Sequence, residues 1–212
     1  MITLYSYFRS SAAYRVRIAM NYKGIPYKLE SVNLLTNEQE SEEYLSINPQ
    51  GLLPALLTQE GQVIAQSTAI LEWLEETYPT PPLLQGDRYA RAKIREQLNA
   101  IACDIHPLNN LRVLKYLTGT LGADEQQKVR WYQHWIETGL YALEQQISPD
   151  SVYSSGSEIG MIDIYLIPQV YNALRFNCDM SAFPNINRVY DNCNTLDAFK
   201  KAAPGEQPDC PQ

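Results

Sequence analysis

The stretch PTPPLLQGD, residues 79–87, divides this chain more sharply than any other feature. Its prolines lack an amide donor and clash with the preceding helical turn, so no helix propagates through it. The residues on its two sides differ in character. Residues 2–7 mix Ile, Leu, Tyr and Ser in a short β-favouring run. Ser10 or Ser11 then opens a helix with Ala12, Val16, Ala19 and Met20 on one face, closed by Gly24. A second strand is expected over 27–34. PALLT and QVIA read as strands joined by a turn at Glu60–Gly61, and Ser67 starts a helix carrying Ile70, Trp73, Leu74 and Tyr78. Beyond the break, 88–117, 124–147 and IDIYLIPQVYNALRF all read as helix. The pattern predicts an α/β domain over 1–80, a linker over 81–87 and an all-α domain over 88–212.

The charge balance narrows the partners. A formal net charge of −7 on 212 residues argues against a nucleic-acid polyanion. An anionic small ligand would need individual arginines to create a local positive site. No run of 18 apolar residues suggests a membrane span, and MITLYSYF lacks the basic-then-apolar pattern of a secretory signal. Cys103, Cys178, Cys193 and Cys210 are scattered, and His106 and His134 join no ligand cluster. A cytoplasmic, metal-free protein is expected.

Three junctions of the α/β part offer donors. Ser10 and Ser11 precede first-turn amides that carry partial positive charge. A serine there caps the helix, or donates to a thiolate and lowers its pKa. The two serines alone leave both readings open. Pro54 follows Leu53 just before a strand; a cis bond would expose the Leu53 backbone to a peptide-like ligand. Gln66–Ser67 suits a carboxylate at a helix start, with Ser67 as a simple N-cap the other reading.

In the helical part, CDIHPLNNLRVLKYL should kink at Pro107. His106 and Asn110 are expected on one face, Asn109 and Arg112 on a neighbouring one. These polar groups form either an interior network or a cleft lining. Arg175, after an apolar helix, is either a helix-end cation or a bidentate carboxylate ligand alongside Arg9.

YSYFRSSAAYRVRIAMNYKGIPY, NPQGLLPAL, QSTAILEWLEETYPTP, DIHPLNNLRVLKYL, PQVYNALRF and DAFKKAAPGEQPD together resemble zeta-class glutathione transferases, including maleylacetoacetate isomerases. The resemblance spans nearly the whole chain. It implies a thioredoxin-like N-domain, an all-helical C-domain, a homodimer and glutathione as cofactor. It assigns sulfur activation to Ser10, which leaves the expected cap to Ser11. It lines the glutathione site with Ser10, Ser11, Ala12, Ala13, Tyr14, Arg15, Gln39, Leu53, Pro54, Gln66 and Ser67, with His106, Asn110, Leu111 and Arg112 contributing. Pro54 matches the family's cis-proline. Arg9, Arg112 and Arg175 are the candidates for gripping a dicarboxylate keto acid.

The implied reaction isomerises maleylacetoacetate to fumarylacetoacetate in aromatic amino acid catabolism, by reversible thiolate addition. DIHPLNN also resembles maleylpyruvate isomerases, which use a shorter keto acid. Conjugation of small haloacids and a non-catalytic binding role are the further alternatives. The chain departs from many members in having Ala12 and Tyr14 where they carry Cys and Trp, so the reactive sulfur must come from glutathione. Gly160 also stands where a Ser or Thr cap is expected, leaving half a capping box with Asp163.

Overall fold

β1 (Ile2–Ser6) and β2 (Tyr27–Ser31) pair in parallel, with Ile2 opposite Tyr27 and Ser6 opposite Ser31. The parallel pairing requires a crossover, which α1 (Ser11–Tyr22) supplies. β3 (Ala55–Leu57) runs antiparallel to β1, and β4 (Val63–Ala65) antiparallel to β3, giving the sheet order β2-β1-β3-β4. This is the thioredoxin-like arrangement expected from the sequence. The computed structural model describes residues 1–211.

Ile2 and Leu4 of β1, Leu56 of β3, Val16, Ile18 and Met20 of α1, and Ile70 and Leu74 of α3 (Ser67–Thr77) are fully buried. They make the core that holds both helix starts against the sheet. α2 (Glu42–Ile47) and a short 3-10 turn, Glu38–Glu40, occupy the connection to β3. Gly24 and Gly61 take φ of +66° and +83°, the left-handed region where a glycine turns the chain without strain.

The chain forms two compact units, and their limits differ from the expected 1–80 and 88–212. Unit one comprises Met1–Leu83 together with the segment from Asn194; unit two is Leu84–Cys193. Buried Lys23 explains the inclusion of residues 81–83. Its ammonium donates to the carbonyls of Tyr78 (2.7 Å) and Pro81 (2.8 Å) and pairs with Glu75 at 2.8 Å. Glu75 in turn accepts the Leu83 amide at 3.0 Å. α9 (Asp197–Ala202) rejoins unit one because it packs along α1, where Asn21 Nδ2 donates to Ala198 O at 3.2 Å. Phe199 and Ala202 are fully buried there.

Unit two is helical: α4 (Arg88–Asn99), α5 (Leu111–Gly119), α6 (Glu125–Glu144), α7 (Met161–Arg175) and α8 (Pro184–Cys193). The helix expected over 88–117 is not one kinked rod. A π-helical turn, Ala100–Ile105, and a 3-10 turn, His106–Asn109, separate α4 from α5. Pro107 offers no amide, and the bonding register changes on either side of it. Asn110 then leaves helical geometry (φ −66°, ψ 144°) before α5 begins. Gly139 of α6 admits Ile105 closely: a Cβ there would lie 2.2 Å from Ile105 Cγ1. No helix among the described residues is long and apolar enough to cross a membrane.

Candidate active site

β1 delivers the chain to Tyr7, and the turn to α1 closes with Ser10 N donating to Tyr7 O at 2.9 Å. Ser10, not Ser11, is the N-cap. Its Oγ accepts the Ala13 amide at 3.2 Å, while Ser11 is the buried first residue of α1. This corrects the expected division of labour without removing Ser10 from chemistry. An oxygen accepts through a lone pair, so the hydroxyl hydrogen can still be donated outward. Ser10 is half-buried at a helix start whose dipole favours negative charge.

The side chains of Ala12, Ala13 and Tyr14 are buried. Arg15 is 1% exposed, yet Nη1 donates to Ser67 Oγ at 3.3 Å. That bond ties α1 to the start of α3. Ser67 is not the cap of α3. The cap is Gln66, at φ +72° and without a side-chain capping bond. A non-glycine residue in this region is uncommon and concentrates at ligand clamps. Gln66 Nε2 donates to Gln50 Oε1 at 2.6 Å.

Leu53–Pro54 is cis. Two residues missed in the sequence hold the segment before it. Tyr44 OH (2.7 Å) and Asn48 Nδ2 (2.8 Å) both donate to Leu52 O, and Asn48 Oδ1 accepts the Gln50 amide at 3.2 Å. Burial pushes the Tyr44 phenol up to about 12, so it remains a donor at neutral pH. The N-P-x-G turn signature at 48–51 was the available signal for Asn48. Gln39 is 8% exposed; its Nε2 donates to Glu40 Oε1, and its own Oε1 has no hydrogen-bond partner among the described residues.

Arg9 lies on its aromatic neighbours. Nη2 is 3.4 Å from Tyr7 OH, and the guanidinium carbon is 5.1 Å from the Phe8 ring centre. In unit two, Arg175 ends α7 and is exposed. Its guanidinium carbon is 4.8 Å from the centre of Phe176, which stacks on Tyr132 at 3.5 Å. Burial pushes the Tyr132 phenol up to about 12, opposed by the neighbouring Arg175 charge. Arg112 is exposed in the first turn of α5. Among the described residues, no carboxylate forms an ion pair with Arg9, Arg112 or Arg175.

The expected pairing of His106 with Asn110 on one helical face does not occur, nor that of Asn109 with Arg112. His106 begins the 3-10 turn, whereas Asn110 caps α5 by accepting Arg112 N at 3.1 Å; Leu111, the first residue of that helix, is exposed. Asn109 is buried and donates to Tyr132 O at 3.2 Å. The cause is again Pro107, which ends the helical spacing on which the expectation relied.

The family model of the glutathione S-transferase N-terminal domain matches residues 9–77. A probable maleylacetoacetate isomerase of Vibrio cholerae is 44% identical, with 98% of each chain covered. The holo structure of a maleyl pyruvate isomerase, described as a bacterial glutathione-s-transferase in the zeta class, superposes with a TM-score of 0.95. It is 44% identical, over 99% of this chain and all of that one (100%). A maleylacetoacetate isomerase of Methylobacterium extorquens AM1, solved with bound malonate and glutathione, gives a TM-score of 0.94 at 36% identity, over 99% and 100% of the chains. The chain belongs to the zeta class of the glutathione transferases.

Proposed function

We propose that this protein is a glutathione-dependent cis–trans isomerase whose substrate is maleylacetoacetate. The observation that carries the reading is Ser10: a capping hydroxyl with a hydrogen left to donate, at the positive end of α1.

The residues of unit one suit glutathione. Ser67 and the first-turn amides of α3, uncapped by the Gln66 side chain, would hold a carboxylate. The Leu53 backbone, steadied through Leu52 by Tyr44 and Asn48, would pair with a peptide group. The unpartnered buried Gln39 oxygen is an acceptor for an ammonium or amide. When bound, glutathione supplies a thiolate whose reversible addition lowers the order of the activated double bond, allows rotation and is undone by elimination.

Ser10 donates to that sulfur and, with the α1 dipole, favours its ionised form. A donor placed as well as one in an oxyanion hole contributes roughly 2.7–4 kcal/mol to the reaction. Arg9, Arg112 and Arg175 supply the cationic charge for a dicarboxylate in a chain of net charge −7. Ala12 removes any cysteine from the serine segment, so the protein's own thiol takes no part there.

The test follows maleylacetoacetate absorbance with and without glutathione while counting thiol. Loss only with glutathione, with thiol conserved, supports isomerisation; loss with one thiol consumed per turnover moves the reading to conjugation. Maleylpyruvate is the second candidate substrate, favoured by the 0.95 superposition on a maleyl pyruvate isomerase. Arg175→Ala should raise KM for the dicarboxylate roughly tenfold or more while leaving that for glutathione within about twofold. Equal changes in both would remove Arg175 from substrate binding. The proposal includes a homodimer in the cytoplasm, and sedimentation equilibrium would decide the oligomeric state.

A further inference from the structure

The segment DAFKKAAPGEQPD, residues 197–209, has so far no part in the chemistry. Its path in unit one gives it one. After α9 a single 3-10 turn, Pro204–Glu206, reverses the chain. Gln207, 7% exposed, turns its amide back onto the carbonyls of Lys201 and Ala203, both at 2.9 Å. One carbonyl of the last turn of α9 and that of its C-cap are thereby satisfied by a residue beyond the helix. Cys210 N donates to Gln207 O at 3.0 Å to close the next turn. Within that turn Asp209 Oδ2 accepts the Phe8 amide at 2.9 Å.

Arg17, fully buried, grips the same region from beneath. Nε donates to Ala202 O (3.0 Å), Nη1 to Ser6 Oγ (2.9 Å) and Nη2 to Phe8 O (2.9 Å). Nη1 also lies 3.4 Å from Tyr7 O. Phe8 therefore has both backbone polar groups fixed from outside its turn, the amide by the tail and the carbonyl by a guanidinium that also holds the tail. Ser10 stands two residues on, with its own amide on Tyr7 O. Hydrogen bonds weaken steeply as they bend, so the aim of the Ser10 hydroxyl depends on how this turn is seated.

We propose that Asp209 is a positioning residue for Ser10, fixing the Tyr7–Ser10 turn through the Phe8 amide. It reaches the chemistry only through that turn, and the proposal rests on Ser10 being the donor to sulfur.

The experiment titrates the ultraviolet thiolate absorbance of enzyme-bound glutathione, with kcat, KM and Tm, in the full chain. The variants are Ser10→Ala, Asp209→Ala, Asp209→Asn and, as a control, Asn21→Ala. The control loosens α9 at Ala198 O without touching the turn. The wild type should show a thiol pKa below that of free glutathione, which Ser10→Ala raises. Asp209→Ala should raise it part of the way and lower kcat roughly five- to tenfold, with the glutathione KM within about twofold. Asp209→Asn, which keeps an acceptor oxygen, should recover most of both. Asn21→Ala should lower Tm without moving the thiol titration. If Asp209→Ala lowers Tm but leaves thiol pKa and kcat at wild-type values, Asp209 is a structural clip and the proposal is overturned. If the wild-type curve already matches free glutathione, the reading of Ser10 fails first and takes the proposal with it. That outcome is visible without any Asp209 variant.

Discussion

The starts of α1 and α7 solve one problem in opposite ways. Each leaves first-turn amides without intrahelical acceptors. At α1 the acceptor is Ser10, half-buried, which takes Ala13 N and retains a hydrogen to give away. At α7 the cap is Gly160, with no side chain. Asp163 reaches back instead, accepting Gly160 N through Oδ2 and Ser154 N through Oδ1, both at 2.8 Å. Asp163 is 0% exposed. Both its oxygens are engaged by backbone amides here. The first start holds a spare hydroxyl donor; the second presents acceptor oxygens already engaged by backbone amides. Capping alone therefore does not mark a reactive helix start.

Ser10→Ala gives the largest expected effect. Turnover should fall about 10²–10³-fold if the hydroxyl acts like a donor in an oxyanion hole. Loss of the cap should cost only about 1 kcal/mol, or roughly 2–4 °C in Tm for a chain of this size. Calorimetry beside steady-state kinetics checks both numbers. A large fall in Tm with little change in kcat would make Ser10 a second Asp163 and erase the contrast.

Asp163→Asn should show the reverse pattern. Its amide nitrogen must face one of the two backbone donors, which costs about 2–3 kcal/mol, with kcat per folded molecule unchanged. The pH dependence sharpens this. Burial raises the Asp163 carboxyl above its usual 3.8, against the pull of its hydrogen bonds. Between 3.8 and the folded value, the unfolded chain has already lost the proton that the folded chain keeps. Stability from this group is thus present below 3.8 and declines as pH rises through the folded pKa. Asn does not titrate, so the deficit of Asp163→Asn should narrow with rising pH across that window. Denaturant melts at stepped pH measure it; a deficit that widens would reverse the assigned direction.

The sequence revealed features carried by local chemistry. Gly24 and Gly61 stand where the chain needs left-handed geometry, and β3 and β4 follow from short apolar runs around the second. Ser10 and Ser67 were legible as helix-start residues, and their link through Arg15 fits the shared site inferred for them. Gln66 was not legible as the cap of α3, because its positive φ carries no glycine or asparagine signal. The break at Asn110 was hidden because HPLNNL continues an apparently helical spacing. The return of the tail to unit one could not be read at all. It depends on Arg17 meeting Ala202 and on Phe8 meeting Asp209, pairs 185 and 201 positions apart.

A third helix start stands between the two extremes. Asn110 caps α5 by accepting the Arg112 amide through Oδ1, and its amide group keeps donors to spare, as Ser10 keeps its hydroxyl hydrogen. Asn110→Ala should cost about 1 kcal/mol through the lost cap. Asn110→Asp keeps the acceptor and adds favourable charge at the helix N-terminus, so stability should hold or rise by about 0.3–1 kcal/mol. The same change sets a negative charge two residues from Arg112. If Arg112 serves the substrate carboxylates, KM for the dicarboxylate should rise roughly fivefold, the effect of about 1 kcal/mol for unit charges 4 Å apart in water. Tm is the internal control. An unchanged dicarboxylate KM in a stable Asn110→Asp protein would remove Arg112 from the grip and leave the Asn110 cap a purely structural one.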